Sequence, residues 1–492
     1  MRKFFAGAFC FIFSFLFNFT TCTQGYDIKV RINGLADTVA ILGHYVNKSM
    51  YPDDTAWLDH NGYGVFKKDK KLPGAMYVVY LPSTRFFQIL IDEDQQFILE
   101  TDTVDFVNSL KVKGSDDNTI FYDFQKFMKT LSEEAVKIQE KINNPENESE
   151  EEELKKRLKN LGDERISYIN NVIRENPDLF VSTFLKATLD TNVPDPPVLP
   201  DGKKDSVWQY YYYRNHYFDN FDYTDSRLLR TPLIEDKVMD FVSKIIPQIP
   251  DSIIPYVDDI IDNSKADSNV FRFMLITIFN YFAKSNIMGM DAVYIHLAEK
   301  YYIHDSWWSD EKFITDLKER IEKAKPLLIG KKAPDMDLMM VPAGHFIAAE
   351  NDTTLKRFPH IGSKITLENI DAKYLVVVFW EADCGHCKTV LPQLYEIYEK
   401  SLKDKNIEVL AVSTLFGEEG KMKWVDFVNK YKLYEWINTW NPYSYQFKIK
   451  YDILSTPQFF ILDQDKKIIA KRIGPEQIEP LINAYESMLK QK

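Results

Sequence analysis

Four consecutive residues, Cys384-Gly385-His386-Cys387, carry the most specific chemical signal in this 492-residue sequence. Two thiols with two residues between them can cycle between dithiol and disulfide, or can supply two ligands to a tetrahedral metal. The flanking residues favour redox work. Tyr374 to Trp380 is a continuous apolar stretch of strand length, Glu381-Ala382-Asp383 is a short link, and a helical pattern runs on to about Leu402. A strand passing through C-x-x-C into a helix is a context in which the motif exchanges disulfides. A zinc site needs four ligands, and only His386 stands near the pair.

The expected geometry gives each residue a task. Cys384 falls at the helix N-terminus, where unpaired amide N–H groups and the positive end of the helix dipole favour thiolate over thiol. Cys387, three residues on, lies on the same helix face and can close a disulfide with it. Exchange needs one thiolate that attacks and a second thiol that resolves the mixed disulfide. At a pKa of roughly 8.5 only about 3% of a thiol is ionised at neutral pH, whereas a pKa near 7 gives about half. His386 can help by a donated hydrogen bond or an imidazolium charge. Lys388 adds positive charge, while Asp383 and Glu381 oppose it.

The rest of the chain must position that motif. Its 61 basic and 73 acidic residues leave a net charge of −12, which offers no attraction to nucleic acid or to an anionic membrane surface. With 45% hydrophobic and 27% charged residues the composition is globular, and the length suits about three domains. Four cysteines are too few for a disulfide-stapled scaffold, and two of them, Cys10 and Cys22, lie in the first 22 residues.

Those first residues read as an export signal. Arg2 and Lys3 precede an apolar run from Phe4 to Phe19, shorter than a usual membrane span, and Thr21 and Thr23 fit the small positions of a signal peptidase site. Cleavage near Gln24 removes both early cysteines and leaves a signal peptide of residues 1–23. The alternatives are a lipoprotein anchored through Cys22, for which Phe19 and Thr21 are poor matches, and an uncleaved anchor. The first two readings place the protein outside the cytoplasm, and the membrane enters as a partner only if Cys22 is lipidated.

Residues 24–114 have period two and predict a β-rich, sandwich-like module. Tyr26, Ile28, Val30 and Ile32 alternate with polar residues, and Asn61-Gly62 marks a hairpin between Thr55–Leu58 and Tyr63–Phe66. His44 and His60 stand isolated and read as surface or turn residues. Residues 115–328 switch to helical spacing, as in Phe121, Phe124, Met128 and Leu131. Acidic residues ahead of Lys155, Lys156 and Arg157 predict an exposed helix with pairs such as Glu151–Lys155. Trp208 to Tyr223 holds nine aromatics in sixteen residues. It reads mainly as packing against neighbouring domains, with a ligand groove or a His216–carboxylate metal site as alternatives.

No phosphate-cradling glycine loop, Gly-x-Ser-x-Gly elbow or His-Glu-x-x-His helix is present in the sequence. Residues 329–492 instead resemble an α/β thioredoxin-fold domain of the TlpA/ResA-like class of exported thiol–disulfide oxidoreductases. The matching residues are the entry segment Ile329-Gly330-Lys331-Lys332-Ala333-Pro334-Asp335, the cysteine motif, Pro392 at the helix kink, and Thr456-Pro457 before the strand Gln458–Leu462. The resemblance implies that Pro457 is the cis-proline packed against the cysteines and that the Thr456 backbone pairs with substrate peptide. It also implies that Cys384 attacks, Cys387 resolves and His386 tunes the couple, with no cofactor and no metal. Protein or peptide disulfides would be the substrates, and a redox partner would recycle the dithiol.

Departures from the family pattern matter too. Asp383 replaces the tryptophan that often precedes the first cysteine, and Val378 stands at the buried acid of thioredoxins. Glu381 is the candidate to replace that acid as proton acceptor for Cys387, the alternative being an ordinary loop carboxylate. Cys-Gly-His-Cys is the tetrapeptide of protein disulfide isomerases, so the resemblance spans reducing and oxidising relatives. Asn33-Gly34-Leu35, Leu72-Pro73-Gly74 and His216 to Asp222 resemble upstream β-rich and helical domains of some exported proteins of Gram-negative bacteria, which places the chain in the periplasm or cell envelope. The competing reading is a non-catalytic envelope binding module for peptide or glycan, with a structural disulfide.

Overall fold

The computed structural model describes residues 25–46, 49–143, 148–357, 362–441 and 444–491. The expected leader, with Cys10, Cys22 and the cleavage point near Gln24, lies outside them. Contacts divide the chain into two compact units, Met1–Phe241 and Val242–Lys492. The division falls within the helical stretch, so the later helices fold with the cysteine-bearing domain.

The first unit opens with eight strands: β1 (Tyr26–Asn33), β2 (Thr38–Val46), β3 (Ser49–Leu58), β4 (Tyr63–Lys68), β5 (Ala75–Leu81), β6 (Arg85–Ile91), β7 (Gln96–Asp102) and β8 (Lys111–Lys113). They form two four-stranded sheets, ordered β4-β1-β7-β8 and β3-β2-β5-β6. The alternation in β1 is real: Tyr26, Ile28, Val30 and Ile32 are buried and the residues between them are not. The Asn61-Gly62 hairpin is corrected. A tight turn is there, with the Gly62 amide donating to Asp59 O at 2.9 Å, but β3 pairs with β2 and β4 pairs with β1. The turn hands the chain from one sheet to the other, which lets both strands bury apolar faces in different sheets.

Helices Asp116–Ile142 and Glu148–Glu175 follow as a pair, closed around Leu131, Ile138 and Leu161. Arg157 bridges Glu134 at 2.7 Å and Glu164 at 2.5 Å, and Lys155 pairs with Glu151 as its i,i+4 spacing predicts. The aromatic segment packs chiefly against itself and its surroundings. Tyr217 and Phe221 are buried, and Phe241 lies 5.1 Å from the Tyr217 ring and 4.7 Å from that of Phe218. His216 Nδ1 is 2.7 Å from Asp219 Oδ2, a local pair one helical turn apart.

The second unit starts with helices Pro250–Ser264, Ser268–Ala283, Asp291–Leu297 and Glu311–Ala324. A seven-stranded sheet follows: β9 (Leu338–Met340), β10 (Ser363–Ile365), β11 (Tyr374–Trp380), β12 (Ile407–Ser413), β13 (Ile437–Trp440), β14 (Gln458–Asp463) and β15 (Ile468–Lys471), in the order β10-β9-β13-β12-β11-β14-β15. Every residue of β11 is buried, as a central strand covered on both faces requires. Val376, Val378 and Trp380 point into one layer with Leu391, Leu394 and Trp424; Leu375, Val377 and Phe379 point into the other with Phe447 and Tyr451. Strand β12 runs parallel to β11 and β14 antiparallel. Helices Gly385–Ile397, Gly417–Tyr431 and Ile478–Gln491 complete the domain. Among the described residues no helix is long and apolar enough to cross a membrane.

Candidate functional site

The C-terminal end of β11 delivers the motif. After Trp380 the chain turns through Glu381-Ala382-Asp383, with the Cys384 amide donating to Glu381 O at 3.2 Å, and Cys384 becomes the N-cap of the helix Gly385–Ile397. Its sulfur takes the place of the usual capping oxygen, accepting from the Cys387 amide at 3.2 Å. Both cysteines carry free thiols, Cys384 half-buried and Cys387 fully buried.

The two sulfurs are polarised in opposite senses. Burial alone would raise the Cys384 thiol. Hydrogen bonds from the Cys387 thiol, the Cys387 amide, the Thr456 side chain and the His386 amide outweigh it and hold Cys384 below the usual thiol range. Cys387 is pushed up to about 12, first by burial and then by the hydrogen bond it gives to Cys384, against a contribution from the Glu381 amide. One thiol is thus prepared to ionise and its neighbour to keep its proton.

Thr456 and Pro457 come from a distant stretch of chain to the same sulfur. The Thr456–Pro457 bond is cis, and the Cys384 thiol donates to the Thr456 carbonyl at 3.1 Å. Beside them a cleft of about 320 Å³ is lined by Asp452, Leu454, Ser455, Pro457, Gln458 and Arg472. Leu454 on its rim is 88% exposed, an apolar side chain open to a partner.

One expected supporting role changes. The Glu381 carboxylate does not receive a hydrogen bond from Cys387: its Oε1 accepts from Thr414 Oγ1 at 2.5 Å and lies 3.5 Å from Lys448 Nζ. The reason is the direction of the chain, since the turn after β11 aims the Glu381 backbone at the cysteines and its side chain towards the end of β12. His386 is exposed, and its amide is among the groups that hydrogen-bond Cys384. Asp383, expected to oppose the thiolate, is matched by Lys423 at 2.9 Å. Lys423 lies on the helix Gly417–Tyr431 and carried no signal in the sequence, and neither did Lys448. Thr414 could have been found as the residue next after the strand expected over Ile407–Ser413.

Of the two histidines of the β module, one departs from expectation. His44 is not isolated: its Nδ1 lies 2.7 Å from Asp53 Oδ2, and its ring stacks on Tyr51 at 6.2 Å. His60 is exposed in the turn.

Comparison with known proteins finds matches for two stretches of the chain. Residues 371–468 match a family described as thioredoxin-like, and residues 142–325 match a domain of unknown function, DUF5106. The thiol–disulfide oxidoreductase ResA of Bacillus cereus is 28% identical over 124 residues, which take in 24% of this chain and 66% of that protein, just under two thirds of its length. A solved domain of a possible thiol–disulfide isomerase from Cytophaga hutchinsonii is 35% identical, with 34% of this chain and 99% of that one covered at a TM-score of 0.27. A thioredoxin-like protein from Bacteroides caccae is 21% identical, covering 60% of this chain and 99% of its own at a TM-score of 0.41.

Proposed function

We propose, from the premise that the C-terminal domain is thioredoxin-like, that this chain is an exported thiol–disulfide oxidoreductase acting on protein or peptide disulfides. The carrying observation is the opposite polarisation of Cys384 and Cys387 beside the Thr456 carbonyl.

The thiolate of Cys384 attacks one sulfur of the substrate disulfide. A bond forms between them, the substrate S–S bond breaks, and the other substrate sulfur leaves as a thiolate that takes up a proton. Cys387 then gives up its proton and attacks Cys384 Sγ, which frees the second substrate thiol. The protein ends as the Cys384–Cys387 disulfide, with two electrons passed to the substrate, and a dithiol partner restores it. The reverse sequence oxidises a substrate. Thr456 supplies backbone for pairing with the substrate strand over Pro457, and Glu381 and His386 support the site through their amides.

The apolar leader supports export to the periplasm or cell envelope of a Gram-negative bacterium, with cleavage after residue 23, and retention through lipidated Cys22 as the alternative. Residues 24–114 and 115–328 then form β-rich and helical segments ahead of the catalytic segment 329–492.

The test is reduction of insulin by the full mature chain with dithiothreitol as electron source. Turnover that disappears in Cys384→Ser, together with a trapped mixed disulfide in Cys387→Ser, supports the reading. Intact insulin, with Cys384 alkylated no faster than free cysteine, overturns it in favour of a binding module with a structural cysteine pair.

A further inference from the structure

A second cleft, of about 230 Å³, opens next to the motif on the side of Asp383. It lies between the start of the active-site helix and the helix Gly417–Tyr431, and is lined by Asp383, Lys388, Lys423, Phe427, Lys430 and Tyr431. Its floor is aromatic: Phe427 is 6% exposed, and its ring lies 4.6 Å from that of Tyr431, tilted by 48°.

The charges around it are unevenly matched. Lys423 is held by Asp383 at 2.9 Å and by Glu419 at 2.6 Å. Asp426, also on the wall, is held by Lys356 at 2.6 Å. The two remaining ammonium groups, Lys388 and Lys430, have no carboxylate partner among the described residues, and Lys430 Nζ sits 4.9 Å from the Tyr431 ring centroid. Lys388 follows Cys387 directly and its amide donates to the Cys384 carbonyl at 3.2 Å, so this unmatched ammonium group stands on the first turn of the active-site helix.

We propose that this cleft selects substrates by seating an acidic residue close in sequence to the substrate cysteine. The proposal rests on the thiol–disulfide reading above and adds a substrate class to it. The carboxylate of a glutamate or aspartate pairs with Lys388 and Lys430, while its methylene groups lie over Phe427 and Tyr431. Lys423 makes this workable: by neutralising Asp383 it removes the anion that would repel an acidic chain at the entrance. Exposed pairs of this kind contribute modestly to affinity and more to the rate of encounter.

Two matched peptides test the idea with the full mature chain and dithiothreitol. Both carry the same disulfide, one flanked by two glutamates and the other by two glutamines. The acidic peptide is expected to react with a kcat/KM about five-fold higher at low ionic strength, a preference that shrinks as salt is added. In Lys388→Gln/Lys430→Gln the ratio should fall towards one, and in Lys430→Glu it should drop below one. Measurable turnover of both peptides at an equal rate in the unaltered chain, or a ratio that survives in the double variant, overturns the proposal.

Binding of the same two peptides with serine in place of cysteine, followed by calorimetry, judges the cleft independently of catalysis. Tighter binding of the acidic serine peptide that is lost in the double variant supports the cleft even if neither disulfide is turned over, a result that defeats the oxidoreductase reading alone. Equal binding of the two serine peptides overturns the cleft.

Discussion

The Cys384 thiol and the Thr456 carbonyl oxygen meet at 3.1 Å across 72 residues of sequence. The sulfur proposed to attack and the backbone proposed to align a substrate strand are therefore one hydrogen bond apart in the dithiol form.

Iodoacetamide should modify Cys384 first, with a pH midpoint below the value of about 8.5 for a free cysteine. Cys387, fully buried and pushed up to about 12, should stay unmodified until the domain unfolds. Mass spectrometry of the alkylated peptides, read across pH 5 to about 10, checks both halves of the statement. Equal labelling of the two sulfurs in the native protein contradicts it.

Glu381→Gln should leave insulin turnover within about three-fold of the unaltered chain and the pH profile in place. A glutamine oxygen can still accept from Thr414, and the backbone amide that reaches Cys387 is untouched. A loss of a hundred-fold or more, the range typical of a lost general base, would return the carboxylate to the role of proton acceptor.

In the first unit, Asp117 is raised from 3.8 to about 6, mainly by burial and then by Asp92 and Asp94, although it accepts from the Val181 amide at 2.7 Å. A carboxyl whose folded pKa lies above its unfolded value contributes stability that is full below about pH 4 and is lost as pH rises through about 6. Asp117→Asn keeps the acceptor for Val181 and carries no charge. It should therefore raise the unfolding free energy at pH 8 by about 1–3 kcal/mol and change it little at pH 4, as read by urea titration at the two pH values.

Lys471, 5% exposed, donates to Leu327 O at 2.5 Å and pairs with Asp291 on a helix ahead of the sheet. Burial drives its pKa down against the pull of Asp291. Asp291→Asn leaves that ammonium without a counter-charge and should cost about 3 kcal/mol, whereas Lys471→Met combined with Asp291→Leu should recover most of the loss. Denaturant midpoints of the three chains decide the matter.

Much of the cysteine-bearing domain was readable from the sequence because its central strands are long and wholly buried. Tyr374–Trp380 and Ile407–Ser413 announce themselves as apolar runs, and the helix after Cys384 follows from the motif. The edge strands Leu338–Met340 and Ser363–Ile365 are three residues each, too short to display a period, and β13 is four residues interrupted by Asn438 and Thr439. Periodicity also says that residues 250–324 are helical, but not that they fold with the following sheet, because that depends on single contacts such as Lys471 with Asp291.

At the site, residue identity points to sulfur chemistry, while side-chain direction is not legible in it. The carboxylate of Glu381 looked useful by proximity in sequence, and the backbone of that residue reaches Cys387 instead. The Asn61-Gly62 turn teaches a related lesson. A turn fixes a reversal of the chain, but which sheet receives the next strand is decided by the faces that need covering.

The sealed position of Cys387 also bears on oxidative damage. A peroxide arriving from solvent meets Cys384 before it can reach the inner sulfur, and the sulfenic acid it leaves there sits beside a thiol able to condense with it, expelling water. Irreversible sulfinic and sulfonic products would thereby be intercepted one step early, so the arrangement proposed for exchange would also shield its own reagent from being burnt out.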